Sequence, residues 1–263
     1  MSNPYESVPY SSQQPPVDYG FQPPPYQHSM DLGRAIGSVF KSPNWMMNVI
    51  WVIVCVVLSL FVVGGIVLFG YQMDVIEKRS RGRSQYWPDF DPNRFVEYLG
   101  RGLWPWLMNF ILMMAFTIPI LAILGVVMAI AGPRMTAQNS EPSLTAIVMI
   151  LLLYSIFMVA MMIYMIFVVF PCSLRAGLAQ DLGQGFNFQW SMDFGKRMAG
   201  QMILAGLFAI LISLVANFAG TITCFVGLIV TIPLAQLMVT DLGAQLYDIY
   251  LTRGGEPVPL RNS

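Results

Sequence analysis

Charge is what this chain has least of. Asp, Glu, Lys and Arg make up only 11% of its 263 residues, against about 25% in a soluble domain. Four stretches carry none: Ser42–Met73, Gly102–Pro133, Pro142–Leu174 and Met198–Thr240. A bilayer core takes about 20 apolar residues per helical span, and it disfavours a charge at its centre by several kcal/mol. A soluble globular domain is therefore excluded, and the fold class is all-α: a polytopic helical membrane protein. The same lack of charge in the span centres argues against an ion-coupled transporter, which needs an intramembrane relay.

Other scarcities narrow the chemistry. The only histidine, His28, lies outside the apolar segments, so a Ser–His or Cys–His pair cannot form inside the membrane. The three cysteines, Cys55, Cys172 and Cys224, are far apart and lie in or beside apolar stretches. They read as small buried hydrophobes, not a disulfide framework or zinc site. A formal net charge of +0 gives no case for nucleic acid. No basic segment followed by a short apolar core opens the chain, so no cleavable signal peptide is expected.

What is present divides the chain in three. Residues 1–29 are a Pro/Tyr/Gln-rich tail, too polar to offset its ordering entropy and expected to be disordered. Its Pro23-Pro24-Pro25-Tyr26 has the form of a polyproline ligand, with a solvated linker as the plainer reading. Residues 30–252 form the membrane domain, and 253–263 a short C-terminal tail. Leu32, Ile36, Val39 and Phe40 recur at helical spacing, which predicts an amphipathic helix over 30–41 lying in the interface. Pro43 ends it, and Trp45 sits at belt level.

Spans are expected near 46–70, 103–131, 144–170, 201–216 and 221–242. The second carries Pro105 and Pro119 as kink sites. The last charge-free stretch would be ~65 Å as one helix at 1.5 Å per residue, so it must fold back, with Asn217–Gly220 as the turn. Ala205, Ala209, Ser213, Ala216 and Gly220 repeat every three or four residues, as do Thr223, Gly227, Thr231 and Ala235. Small residues at that spacing predict a close helix pair.

The two charged loops echo each other. One holds Trp87, Asp89 and Phe90 and then Arg94; the other holds Trp190, Asp193 and Phe194 and then Lys196 and Arg197. The match suggests two span–loop–span halves in parallel orientation, with chance as the alternative. The first loop carries Lys78, Arg79, Arg81, Arg83, Arg94 and Arg101, the second Arg175, Lys196 and Arg197, and the intervening loop only Arg134. The rule that positive loops stay inside makes both large loops and the C-terminus cytoplasmic. Five spans then put the N-terminus outside. The rival is a re-entrant first segment, broken at Gly64-Gly65, with the N-terminus inside.

Possible chemistry reduces to plainer roles. Asp89–Asn93 starts like a calcium loop, but Arg94 and Gly100 stand where a Gly and an acid are required. Asp91 followed by Pro92 reads instead as a helix cap, opening an interfacial helix through Arg101. Met158, Met161, Met162 and Met165 share a face that could hold Cu(I). Methionine is common here, with 19 in the chain, and packing is the better reading. Asp31, Asp181 and Asp241 each start an Asp-Leu-Gly at a membrane edge, where they serve as interface or cap residues. The run Lys78, Arg79, Arg81 and Arg83 could attract anionic headgroups at about 1 kcal/mol each; orienting the chain in the membrane explains it equally well.

Taken in order, Gly70-Tyr71, Pro88-Asp89-Phe90-Asp91, Gly100 and Ile232-Pro233 resemble the bacterial and archaeal membrane family catalogued as domain of unknown function 4013. The resemblance covers about residues 30–252, and Asn3-Pro4-Tyr5-Glu6-Ser7 is similar to tails of planctomycete members. It implies a fold and no assigned activity, so no catalytic residue carries over. The expectation is a multi-pass cell-membrane protein that is not an enzyme and has no cofactor or metal. Its role is that of a scaffold, or a binder of the lipid bilayer, anionic headgroups or a protein partner. Trp87, Asp89, Phe90, Trp190, Asp193, Phe194, Lys78, Arg79, Arg81 and Arg83 are the candidate interface. The alternative is a channel or transporter component with a pore among spans two to four, lined by Asn109, Thr117, Tyr154 and Ser155.

Overall fold

A computed structural model describes residues 29–80, 87–136, 144–222 and 227–259. The tail with Pro23–Tyr26 and His28, the residues Arg81 and Arg83, the side chain of Arg134, Cys224 and the last four residues lie outside that description. The described residues form helices and no strand. In chain order these are α1 Leu32–Lys41, α2 Trp45–Leu58, α3 Val63–Ser80, α4 Phe95–Thr136, α5 Leu144–Tyr164, α6 Phe170–Ala179, α7 Leu182–Gly185, α8 Phe188–Ile222 and α9 Leu228–Thr252.

The segment expected as one span over 46–70 is broken. A 3-10 turn at Ser59–Phe61 and a left-handed Val62, at φ 68°, separate α2 from α3. The break falls just before Gly64-Gly65. Gly64 packs directly on the backbone of Cys55 and Leu58, where a side chain would not fit. Further from the turn, Phe90 touches both Trp51 and Tyr71. The 55/64 contact and the shared packing of Trp51 and Tyr71 on Phe90 make α2 and α3 an antiparallel hairpin, the rival arrangement. Its tip is apolar and exposed, with Leu60 at 84% and Phe61 at 74%.

Four helices are then long and apolar enough to cross a membrane: Pro92–Ile123, Leu151–Ala179, Phe188–Ile222 and Leu228–Thr252. Counting α1 with α2, which meet at a 99° bend, would make a fifth. Two other expected boundaries move. Pro92–Arg94 forms a single 3-10 turn leading into α4, which runs unbroken to Thr136, so no separate interfacial helix reaches Arg101. The Asn217–Gly220 turn is absent because α8 continues through it to Ile222. Neither Asn nor a lone Gly ends a helix when apolar residues follow on both faces.

The core sits at one end. Buried side chains come from Ile66–Ile76, Tyr98–Leu112, Val169–Ala179, Trp190–Ala205 and Ala235–Tyr250. At this end α3 and α4 meet backbone to backbone: Gly70 lies on the Tyr98 carbonyl and Gly102 on the Ile66 carbonyl. Asp31 exchanges hydrogen bonds with Gln245 (2.8 and 3.0 Å), Ser42 bonds Asp89, and Trp190 bonds the Glu256 carbonyl. So α1, both loops and the C-terminal end of α9 gather on one side. The start of α1 therefore lies at the same end of the molecule as the loops, as a hairpin over 46–70 requires and a single straight segment would not.

Candidate functional site

The charged end is built where the apolar runs stop. Asp74 is the first charge after Ser42–Met73, and burial leaves it 2% exposed. It accepts Lys78 at 2.7 Å one helical turn on, Arg94 at 3.3 Å and Arg101 at 3.1 Å. Arg101 also pairs with Glu77, and Arg94 with Glu97. Three acids thus meet three bases across the α3–α4 contact. Arg94, in the turn before α4, and Arg101, on α4, are seven residues apart and both reach Asp74.

A second polar node joins α1, α3 and α9. Asp241 is fully buried at 0%; it pairs with Arg79 and accepts from Gln245 at 2.7 Å. Gln245 is the residue that clamps Asp31. Asp248 of α9 is half-buried and lies within electrostatic reach of Arg34 and Arg79. Of the three Asp-Leu-Gly copies, two do cap helices: Asp31 accepts from Arg34 N and Asp181 from Gly183 N, both at 2.8 Å. Asp241 does not. It lies inside α9, and its role is the ion pair.

The loop echo corresponds to two aromatic nests. Trp87 and Phe90 pack with Tyr71 and Tyr98, and Trp87 Nε1 donates to the Tyr71 hydroxyl at 2.8 Å. Trp190 and Phe194 pack with Tyr250. The four loop aromatics are at most 4% exposed. They were expected to face a partner; apolar area of that size instead closes the core.

The two loop acids differ. Asp89 is exposed but tied to the start of α2, accepting from Ser42, Asn44 and Asn48. Asp193 holds Arg197 at 2.8 Å and accepts the Tyr250 hydroxyl at 3.0 Å. Lys78 and Arg79, expected as headgroup contacts, are committed to Asp74 and Asp241. Lys78 reaches Asp74 one turn back on its own helix, a pairing the i,i+4 spacing allows; Arg79 finds Asp241 on α9, which the spacing of loop residues could not reveal.

The apolar ends are open by contrast. Of the apolar windows in the four long helices, 11%, 6%, 17% and 50% is buried. The close pair is α8 and α9, as the small residues predict, and a groove flanks it on each side. One, of about 700 Å³, is lined by apolar residues with Ser213, Asn217 and Gln236; Gln72 reaches Gln236 at 3.0 Å. The other, of about 340 Å³, lies between Ile36 of α1 and Leu211, Val215, Leu234 and Met238. The expected pore residues do not line either groove. Tyr154 is 60% exposed on the outer face of α5, and Ser155 returns its hydroxyl to the Leu152 carbonyl.

Fold and site together define a class: an all-α protein with a charged, interlocked end and four helices able to cross a membrane. The family described as protein of unknown function, DUF4013, matches residues 49–225, and the chain belongs to it. The match is narrower than 30–252, leaving α1 and α9 outside although both help close the core. No curated protein and no solved structure matches the chain.

Proposed function

We propose that this is a non-enzymatic integral membrane protein that binds lipid or a membrane partner through the sides of its helices. One observation carries the reading. The acids and bases of the charged end are largely paired with one another, whereas the apolar lengths of α4, α5 and α8 are largely uncovered. Surface of that kind is matched only by lipid or by another helix. The concentration of Lys and Arg supports reading the loop end as the cytoplasmic side of a cell membrane. Lipid and partner contacts belong to the α8–α9 grooves, not to the buried loop aromatics.

A photocrosslinking residue at Leu214, in the larger groove, should capture one lipid species or a discrete protein. At Leu152, on open α5, it should give diffuse labelling. Equal, unselective labelling at both positions would remove the proposal. Transport is the second reading, favoured by the polar trio Ser213, Asn217 and Gln236 in that groove. Solute flux in liposomes that is lost with Gln236→Leu would replace the first reading with it.

A further inference from the structure

We propose that Arg175 is a seat for a phosphate-type oxyanion at the loop end of α6. Among the described residues four charged side chains are fully buried: Asp74, Arg101, Arg175 and Asp241. Three of them sit in ion pairs. Arg175 has no carboxylate partner among the described residues. Its Nη2 donates to Gln184 Oε1 at 3.1 Å, and its guanidinium lies over the Trp190 ring at 5.2 Å. Its Nε and Nη1 are buried with no acceptor.

A buried cation is strongly unfavourable unless paired, and an unmade buried donor adds to that cost. Guanidinium presents its donors as forks suited to oxyanions. Nη2 belongs to both forks, and here it holds only a neutral amide oxygen. An oxyanion that took the place of Gln184 on Nη2 would gain Nε or Nη1 as its second donor. Gln184 is half-buried. It is carried by the four-residue α7, which follows Gln180 in a left-handed conformation at φ 52°. Turning this one neutral side chain aside frees Nη2 while the backbone of α7 keeps its packing on α4 and α6.

Phosphate suits the depth. Arg175 is the first charge after the stretch Pro142–Leu174, which puts it at headgroup level when α5 and α6 cross a bilayer. The shared chemistry is a phosphate oxyanion, from a lipid headgroup or from solution. The lipid source rests on the membrane reading above; the free-anion source does not.

The test uses the full chain in detergent micelles and the variants Gln184→Glu and Arg175→Lys. The first gives the guanidinium an internal carboxylate of nearly the same shape. The second keeps the charge and removes the fork. Native mass spectrometry with phosphatidylglycerol should show a lipid retained by the parent protein and about tenfold less by each variant. Inorganic phosphate, at ionic strength matched with chloride, should raise the melting temperature of the parent and leave Gln184→Glu unmoved. Loss of the lipid response alone assigns the seat to a headgroup, and loss of the phosphate response alone assigns it to a free anion. If Gln184→Glu behaves as the parent toward both probes, or the parent responds to neither, the proposal is overturned. Crosslinking at Leu214 reads the groove, and its result should be the same in Gln184→Glu.

Discussion

Replacing Asp74 with Ala removes the carboxylate on which Lys78, Arg94 and Arg101 converge. The node then holds two acids and three bases. Lys78 and Arg94 have side chains 34% and 29% exposed and can turn toward water, but Arg101, at 9%, cannot. Its Nε already lacks an acceptor, and Glu77 becomes its sole ion-pair partner among the described residues. Breaking a buried pair costs roughly 3–5 kcal/mol, and the two mobile bases place this case near the lower end. At ~2–4 °C per kcal/mol for a chain of this size, the melting temperature should fall by roughly 6–12 °C. Fluorescence-monitored thermal unfolding in detergent reads this directly. Because the cost is the stranded guanidinium and not the lost attraction, Asp74→Leu with Arg101→Met should recover most of it. A single variant melting within about 2 °C of the parent, or a double variant no better than the single, would refute the reasoning.

Other consequences follow from the same geometry. Gly70→Ala should abolish folding, because its Cβ would enter the Tyr98 carbonyl, whereas Gly100→Ala has nothing within 4 Å and should gain up to about 1 kcal/mol; expression and melting of the two variants check this. Single cysteines replacing Asn44 and Gly254 should react with an impermeant maleimide from the same side of the membrane, and one replacing Leu60 at the hairpin tip should be protected. Labelling of the first two from opposite sides would contradict the hairpin.

By itself the sequence determined the solvent, the helical class and the family. Those follow from local chemistry: long charge-free runs have one stable environment, and in it the backbone must satisfy its own hydrogen bonds by forming helices. It also located the small-residue faces of α8 and α9 and the capping roles of Asp31 and Asp181, which depend only on nearby residues. The tertiary structure decided the rest. Whether 46–70 crosses or turns back depended on Gly64 finding the backbone of Cys55. Whether Trp87 and Trp190 face a partner depended on Tyr71 and Tyr250, far away in sequence. Arg79 and Arg101 looked free because Asp241 and Asp74 lie on other helices. Arg175 read as one more positive loop residue; only the packed helices show it buried with a neutral amide as its one hydrogen-bond acceptor. A charge's cost is set by what surrounds it in space, and that information is not carried by its neighbours in the chain.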